Sequence, residues 1–247
     1  MRVQNNRTRQ WLKFATVVSF TALLAACGSD NDDFPTSPTP PAPPPPPAPV
    51  NVSYEVTVTN LTNAQPVSPV AVVLHSEGAL WEIGEPASEA LEQMAEGGDN
   101  DAIRALSVVQ AEASGAAPIG PGNSETISVT IEDTTDALLS VATMLVNTND
   151  AFTGLNAYSL AQLEVGDSWS TRARAYDSGT EANSEAAGTM PGPADGGEGF
   201  NAMRDDVDFV AAHPGVVSSD DGLSASVLTV QHKFDNPVVR ITITRTE

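Results

Sequence analysis

Apolar and polar residues alternate along several segments of the chain. In residues 54–60, YEVTVTN, the pattern places Tyr54, Val56 and Val58 on one face and polar residues on the other. A period of two is typical of a strand with one buried face and one face in water. The clearest strand candidates are residues 54–60, 70–75, 125–131, 137–146 and 238–245. Two of them, 70–75 and 137–146, are almost continuously apolar, which indicates strands that are buried on both faces.

Two more segments extend this pattern. Residues 223–234 are predicted as a strand that the turn DNP, 235–237, joins to 238–245 as a hairpin. Residues 169–176, WSTRARAY, also alternate and are predicted as one strand. Acidic residues then follow closely, at Asp177, Glu181 and Glu185.

One segment has a helical pattern instead. Residues 85–98 have a proline, Pro86, at a predicted first-turn position and end at Gly97–Gly98. Apolar residues recur along one stripe of this helix, which is typical of a helix packed on a sheet. A second short helix is predicted at 99–106. Residues 51–247 are therefore predicted to form an all-β domain, an antiparallel β-sandwich with one or two short inserted helices.

The N-terminal residues have the pattern of an export signal. Four basic residues precede an apolar run at 14–26, which is too short to cross a bilayer. The stretch LAAC, 24–27, resembles the bacterial lipobox. The resemblance implies a signal peptide at 1–26, lipidation of Cys27 and a place in the outer membrane of the bacterial cell envelope. Cys27 is the only cysteine, so an exported chain could not use it for an internal disulfide.

The segment that follows Cys27 is rich in proline. Proline lacks the N–H donor that helices and sheets require, so residues 27–50 are predicted to form an extended linker. At about 3.1 Å per residue, the stretch from Pro35 to Pro49 would span roughly 45 Å. A proline-rich ligand for an SH3-type partner is the alternative, and it is less fitting for an envelope protein.

The charge of the chain restricts its partners. The whole sequence has a formal net charge of −21. Removal of residues 1–26 takes away four of the 11 basic residues and none of the 32 acidic ones, which leaves −25. A surface of this sign repels nucleic acid and attracts divalent cations. Nucleic acid is therefore not expected as a partner.

Several stretches in one order carry a resemblance to a known family. They are VTNLTNAQPVSPVAVVLH (58–75), LWEIGEPASEALEQMAEGGD (80–99), NDAFTG (149–154) and YDSGTEANSE (176–185). Together they resemble the spondin domain, which was first named in the extracellular matrix protein F-spondin and also occurs in bacterial exported proteins. The resemblance covers about residues 52–247 and implies a calcium-binding β-sandwich.

The resemblance also implies which residues bind the ion. Carried onto this sequence, the ligands of Ca²⁺ fall on Asp150, Asp177 and Glu181. The family has aspartate at the last of these positions, and glutamate here is one methylene longer. Ca²⁺ accepts six to eight oxygen ligands in flexible geometry, so the longer side chain is compatible with it. From the residues alone, a solvated acidic loop stays open as the alternative.

Motifs of common enzyme classes are absent from the sequence. It has no G-x-S-x-G, no H-E-x-x-H and no phosphate-binding glycine loop, and its three histidines lack zinc-ligand spacing. The leading hypothesis is a non-enzymatic, lipid-anchored protein that presents a calcium-binding sandwich for adhesion or matrix interaction. Its partners would be the membrane, through Cys27, and an extracellular or periplasmic protein or glycan. The alternatives are an envelope hydrolase that acts on polysaccharide and a purely structural sandwich with a degenerate metal site.

Overall fold

Two antiparallel sheets face each other in the structure, a computed structural model that describes residues 48–247 except 133, 135 and 136. The predicted signal peptide, Cys27 and most of the linker lie outside the described residues. The strands are β1 (Asn51–Asn60), β2 (Ala71–His75), β3 (Val109–Ser114), β4 (Ser124–Glu132), β5 (Leu138–Met144), β6 (Ala151–Ser159), β7 (Ser168–Ala173), β8 (Ala175–Asp177), β9 (Ala211–Ala212) and β10 (Val239–Arg245). The helices are α1 (Glu89–Gly97) and α2 (Asp101–Arg104).

The strand order explains how the sandwich is built. One sheet has the order β4-β1-β10-β7, and the other has the order β3-β2-β5-β6-β8-β9. Neighbouring strands are antiparallel throughout both sheets. The prediction of an all-β antiparallel sandwich with short inserted helices is therefore confirmed.

The main core lies between the two sheets. Tyr54, Val56 and Val58 of β1 are fully buried there, as the alternating pattern predicts. In the larger sheet, all five residues of β2 are buried. The second face of that strand is covered by α1, α2 and the segment around Trp81, which form a separate apolar cluster with it. The continuous apolar runs of the sequence are the strands with packed side chains on both faces.

Helix α1 begins three residues after the proline that was predicted to start it. Ser88 is the N-cap, and its hydroxyl accepts a hydrogen bond from the backbone N–H of Leu91. The predicted C-terminal end is confirmed, because Gly98 adopts a left-handed conformation with φ of 71° and donates its N–H to the carbonyl of Met94.

Neither helix, nor either of the 3₁₀ turns in the described part of the chain, is long and apolar enough to cross a membrane.

The predicted strand at 223–234 is wrong. Strand β10 already pairs with β1 on one side and β7 on the other, so it has no free edge for a hairpin partner. The segment instead contains a 3₁₀ turn at Val230–His232, and Leu228 packs with Met190 and Val216 in a small separate cluster. The alternation of apolar residues in this segment therefore does not mark a sheet strand.

The predicted strand at 169–176 divides into two. Strand β7 ends at Ala173 in the smaller sheet, and β8 starts at Ala175 in the larger one, so the chain crosses between the sheets at Arg174. Strand β8 then pairs with β6, a strand that the alternation pattern does not predict.

Close approach of β5 to β6 generates a stability prediction. A Cβ atom on Gly154 would lie 1.8 Å from the carbonyl oxygen of Val141, which is backbone and cannot rotate away. Gly154→Ala is therefore expected to lower the free energy of unfolding by about 3 kcal/mol or more, measured by urea denaturation. Gly199→Ala is the matched control, because its Cβ would meet nothing closer than 3.5 Å. Equal stability of both variants would contradict the tight contact.

Candidate metal centre

The pairing of β6 with β8 brings two of the predicted ligands to one edge of the larger sheet. Ala151 at the start of β6 lies opposite Asp177 at the end of β8. Because the strands are antiparallel, the residue before β6 and the last residue of β8 lie at the same end of the pair. The backbone carbonyl of Asp150 accepts a hydrogen bond from the N–H of Ser178 at 3.4 Å. Asp150 and Asp177, 27 positions apart in the chain, are therefore neighbours in the fold.

Asp150 is fully buried at the centre of this group. Its Oδ2 accepts hydrogen bonds from the Ser178 hydroxyl at 2.7 Å and from the backbone N–H groups of Thr180 and Glu181 at 2.9 and 3.2 Å. Its Oδ1 is buried too and has no hydrogen-bond partner. Burying a polar atom without a partner costs free energy, so Oδ1 is an acceptor that the described residues leave unsatisfied.

The loop after β8 owes its shape to a glycine. Gly179 has φ of 72°, a left-handed conformation that other residues rarely adopt. The backbone of Phe209 packs directly on its α-carbon, where a Cβ atom would lie 2.3 Å from the Phe209 carbonyl oxygen. The turn lets the Gly179 N–H reach Oδ1 of Asp177 at 2.8 Å. The two N–H groups that follow then bind the Asp150 carboxylate.

A chain of hydrogen bonds orients the second oxygen of Asp177. The N–H of Gly215 donates to Nδ1 of His213, so the proton of the neutral ring lies on Nε2. That nitrogen lies 3.0 Å from Oδ1 of Asn183, whose Nδ2 in turn donates to Oδ2 of Asp177 at 2.6 Å. Burial lowers the pKa of His213 to about 4, although the charge of Asp177 opposes this shift. The low pKa keeps the ring neutral at neutral pH.

Glu181, the third predicted ligand, lies in the same group. Its Oε1 accepts a hydrogen bond from Nδ2 of Asn149 at 2.9 Å. Oδ1 of Asn149 accepts the N–H of Glu185, so this asparagine links the start of β6 to the loop after β8. Glu96 at the end of α1 is 1% exposed and close enough for its charge to raise the pKa of Glu181.

Sequence reasoning missed the residues that support the three carboxylates. Asn149 is part of the NDAFTG stretch, so the motif holds a signal for it. Glu96 lies within the stretch at 80–99, but only the packing of α1 brings it close to Glu181. His213 lies outside all four stretches and carries no such signal, since only the packing of the 204–215 segment brings it here.

Burial and mutual repulsion make this group electrostatically costly. Burial raises the pKa of Asp150 to about 7, with the charge of Asp177 contributing to this shift and the hydrogen bonds of the loop opposing it. Burial likewise raises the pKa of Glu181 to about 7, with a hydrogen bond from Asn149 opposing it and the charges of Glu96 and Asp150 adding to it. Within the described residues, no Lys or Arg lies within ion-pair distance of the three predicted ligands.

The three side chains are close together but do not form a ready-made ion cage. Across residues 48–247, leaving aside the three undescribed positions, no group of three or more His, Cys, Asp or Glu side chains is arranged so as to hold a metal ion. Both oxygens of Asp177 and one of Glu181 are held by hydrogen bonds from nearby residues. The donor set nevertheless fits a hard cation, because it is made of oxygens and includes the unsatisfied Oδ1 of Asp150.

The raised pKa of Asp150 predicts how pH acts on the calcium-free protein. The pKa of Asp150 is about 7 in the folded state and 3.8 for an ordinary aspartate, so the folded state holds more protons between these two values. The contribution of Asp150 to stability is therefore present at low pH and is lost as pH rises towards 7. His213 acts in the opposite direction, since its pKa falls from 6.5 to about 4.

A difference between two proteins separates these effects. The free energy of unfolding of the Asp150→Asn variant is subtracted from that of wild type at each pH, and the contribution of His213, present in both proteins, cancels. The remaining difference is expected to fall by about 2–4 kcal/mol between pH 5 and pH 8. Urea denaturation in calcium-free buffer at each pH measures it. A difference that stays constant across this range would show that Asp150 titrates normally.

Comparison with known proteins adds no family. No protein-family model matches the chain, and a search of curated proteins finds no match to it. The likeness to the spondin domain therefore remains a prediction from the four sequence stretches.

Proposed function

We propose that this protein is a lipid-anchored envelope protein whose β-sandwich binds Ca²⁺ at the rim and presents a surface for adhesion. The observation that carries the proposal is the Asp150 carboxylate, fully buried with Oδ1 unsatisfied and next to Asp177 and Glu181. Asp150, Asp177 and Glu181 would hold the ion through oxygen atoms, and the ion would supply the positive charge that the group lacks.

Calcium has a structural role in this proposal. Asp150 precedes β6, whereas Asp177 and Glu181 belong to the end of β8 and the loop after it. An ion shared by them would fix this loop to the sheet edge and so shape the surface that a partner contacts. Extracellular calcium sites often bind at about 10⁻⁴–10⁻³ M. At an ion concentration ten times the dissociation constant, binding adds about 1.4 kcal/mol of stability.

The predicted N-terminal segments supply the location. Lipidated Cys27 would hold the chain on the outer membrane, and the proline-rich linker would extend the sandwich away from the lipid surface. An extracellular or periplasmic protein or glycan would then meet the sandwich, and no chemical step is assigned to it.

The hydrolase alternative receives less support from the arrangement of acids. Glycoside hydrolysis uses two carboxyl groups that flank a substrate in an accessible cleft. An open cleft of about 620 Å³ in the described part of the chain is lined by two arginines and no acid. Asp150 is buried within a loop cluster instead, where a sugar chain cannot reach it.

Calcium titration tests the proposal. In protein that lacks residues 1–27, we expect millimolar Ca²⁺ to raise the melting temperature by roughly 3–5 °C and to give a saturable calorimetric signal. Asp150→Asn should abolish both effects. Without calcium this variant should melt no lower than wild type at pH 8, because it removes a buried charge that Asp177 repels.

Glu164→Gln is the matched control for calcium binding. It removes one negative charge from an exposed side chain on the turn before β7, so its response to calcium should equal that of wild type. Loss of the response in both variants would point to bulk charge as its cause. A wild-type protein that does not respond to calcium would leave the degenerate-site alternative in place.

The anchor is tested in the whole cell. Cys27→Ser is expected to move the protein from the membrane fraction to the soluble envelope fraction and to prevent its labelling by a radioactive fatty acid. Retention of the label in this variant would contradict lipidation at Cys27.

A further inference from the structure

An open cleft lies where the chain leaves the smaller sheet. It has a volume of about 620 Å³ and lies between the outer part of β6 and the crossing from β7 to β8. The residues that matter most for its chemistry are Asn156, Arg172, Arg174, Tyr176 and Asn236. The candidate metal centre is at the other end of β8, so the two sites are distinct.

Two unpaired arginines dominate this cleft. Arg172 and Arg174 are exposed, and neither guanidinium group forms a hydrogen bond or an ion pair with any described residue. Arg240 of β10 lies directly opposite Arg172, and its guanidinium group donates a long hydrogen bond of 3.4 Å to the hydroxyl of Thr59. Like charges directly opposite each other destabilise a sheet. In a chain with 32 acidic and 11 basic residues, three neighbouring arginines without a carboxylate partner indicate an anion from outside.

An amide group adds to the cleft. Oδ1 of Asn236 accepts the backbone N–H of Ala175 at 2.7 Å, which leaves its Nδ2 without a partner among the described residues. The ring of Tyr176 is fixed in place because it stacks on the ring of Phe152, with the two centroids 5.3 Å apart. The cleft therefore offers amide donors from Asn236 and guanidinium donors from the two arginines.

Next to the arginines, the outer face of the smaller sheet is covered with hydroxyl groups. Serine and threonine occupy most of its outward positions and bond to one another across strands at 2.7–3.0 Å. These pairs are Ser53–Thr130, Thr57–Thr126, Thr59–Ser124, Ser168–Thr244 and Ser170–Thr242. Hydroxyl groups that already pair keep free lone pairs for a further hydrogen bond. Large apolar side chains, which would anchor a protein partner, are absent from these positions.

We propose that this cleft and the adjoining hydroxyl face bind a polysaccharide that carries carboxylate groups. The planar guanidinium groups of Arg172 and Arg174 match a carboxylate through paired hydrogen bonds. The Ser and Thr hydroxyls bond to the hydroxyl groups of the sugar rings. Tyr176 is the one aromatic ring in the lining of the cleft, and one of its faces packs on Phe152, so the anionic groups of the ligand provide the main attraction.

The large negative charge of the chain is compatible with this ligand. At physiological ionic strength, charges farther than about 8 Å apart are largely screened, so the three arginines define the local potential. The remaining acidic surface still opposes a dense polyanion, which favours a ligand with widely spaced carboxylates.

Binding to immobilised polysaccharides tests the inference. The protein that lacks residues 1–27 is measured against alginate, dextran sulfate, neutral dextran, polyglutamate and duplex DNA, with a chelator present so that calcium cannot bridge. We expect alginate to bind best, neutral dextran not to bind, and the alginate affinity to fall with added salt. Because the chelator also empties the proposed calcium site, a failure here is independent of a failure there.

Matched variants locate the binding. Arg172→Gln and Arg174→Gln should each weaken alginate binding about fivefold or more, and the double variant should abolish it, without a fall in melting temperature. Arg104→Gln removes the same charge from an arginine beside Glu112 on β3 and should bind like wild type. Thr242→Val should weaken alginate binding, since it removes a hydroxyl next to the arginines.

Three results would overturn the inference. Unchanged binding by the double arginine variant would place the ligand elsewhere. Equally tight binding of polyglutamate or DNA would reduce the cleft to an unselective anion patch. Equal binding of dextran sulfate would remove the assignment to carboxylates.

Discussion

The crossing of the chain between the two sheets at Arg174 is the constraint on which both candidate sites depend. Strand β7 completes the smaller sheet, and one residue later β8 joins the larger sheet beside β6. The crossing leaves a cleft between the outer part of β6 and β7, with Arg172 and Arg174 in its lining. It also directs β8 so that it ends at Asp177, beside Asp150. A strand that continued in the smaller sheet would produce neither arrangement.

The candidate metal centre lowers the stability of the fold, because it buries carboxylate groups that repel one another. Burying the Asp150 carboxylate is costly, and the loop after β8 offsets part of that cost with hydrogen bonds from Ser178, Thr180 and Glu181. The remaining cost is visible in Oδ1, which has no partner, and in the raised pKa of Asp150. Residues that break a local rule in this way are typical of functional sites. Here the broken rule is the burial of like charges that pair with no Lys or Arg among the described residues.

The arginine cleft has the opposite imbalance, because positive charges without a carboxylate partner lie at the other end of the same short strand, β8. Arg174 precedes β8 and Asp177 ends it, so only two residues separate an unpaired cationic side chain from an uncompensated anionic one. The two do not neutralise each other, because Asp177 is buried and bound to Gly179 and Asn183, whereas Arg174 is exposed. Each therefore keeps a charge that an external partner can satisfy: a cation at one end of β8 and an anion at the other.

The sequence by itself determined the sandwich and most of its strands, because alternation of apolar residues is a local property that survives without knowledge of partners. It located β1, β2, β4, β5 and β10, and the stretches that resemble the spondin domain named the three carboxylates that the fold brings together. It could not exclude a hairpin between 223–234 and β10. The hairpin is absent because β1 and β7 already occupy both edges of β10, and this pairing is a property of the tertiary structure. Only the tertiary structure decided the crossing at Arg174, the burial of Asp150, the hydrogen-bond chain from His213 to Asp177 and the unpaired state of Arg172 and Arg174. Each of these depends on contacts between residues far apart in the chain, and no local pattern of residue types encodes such contacts.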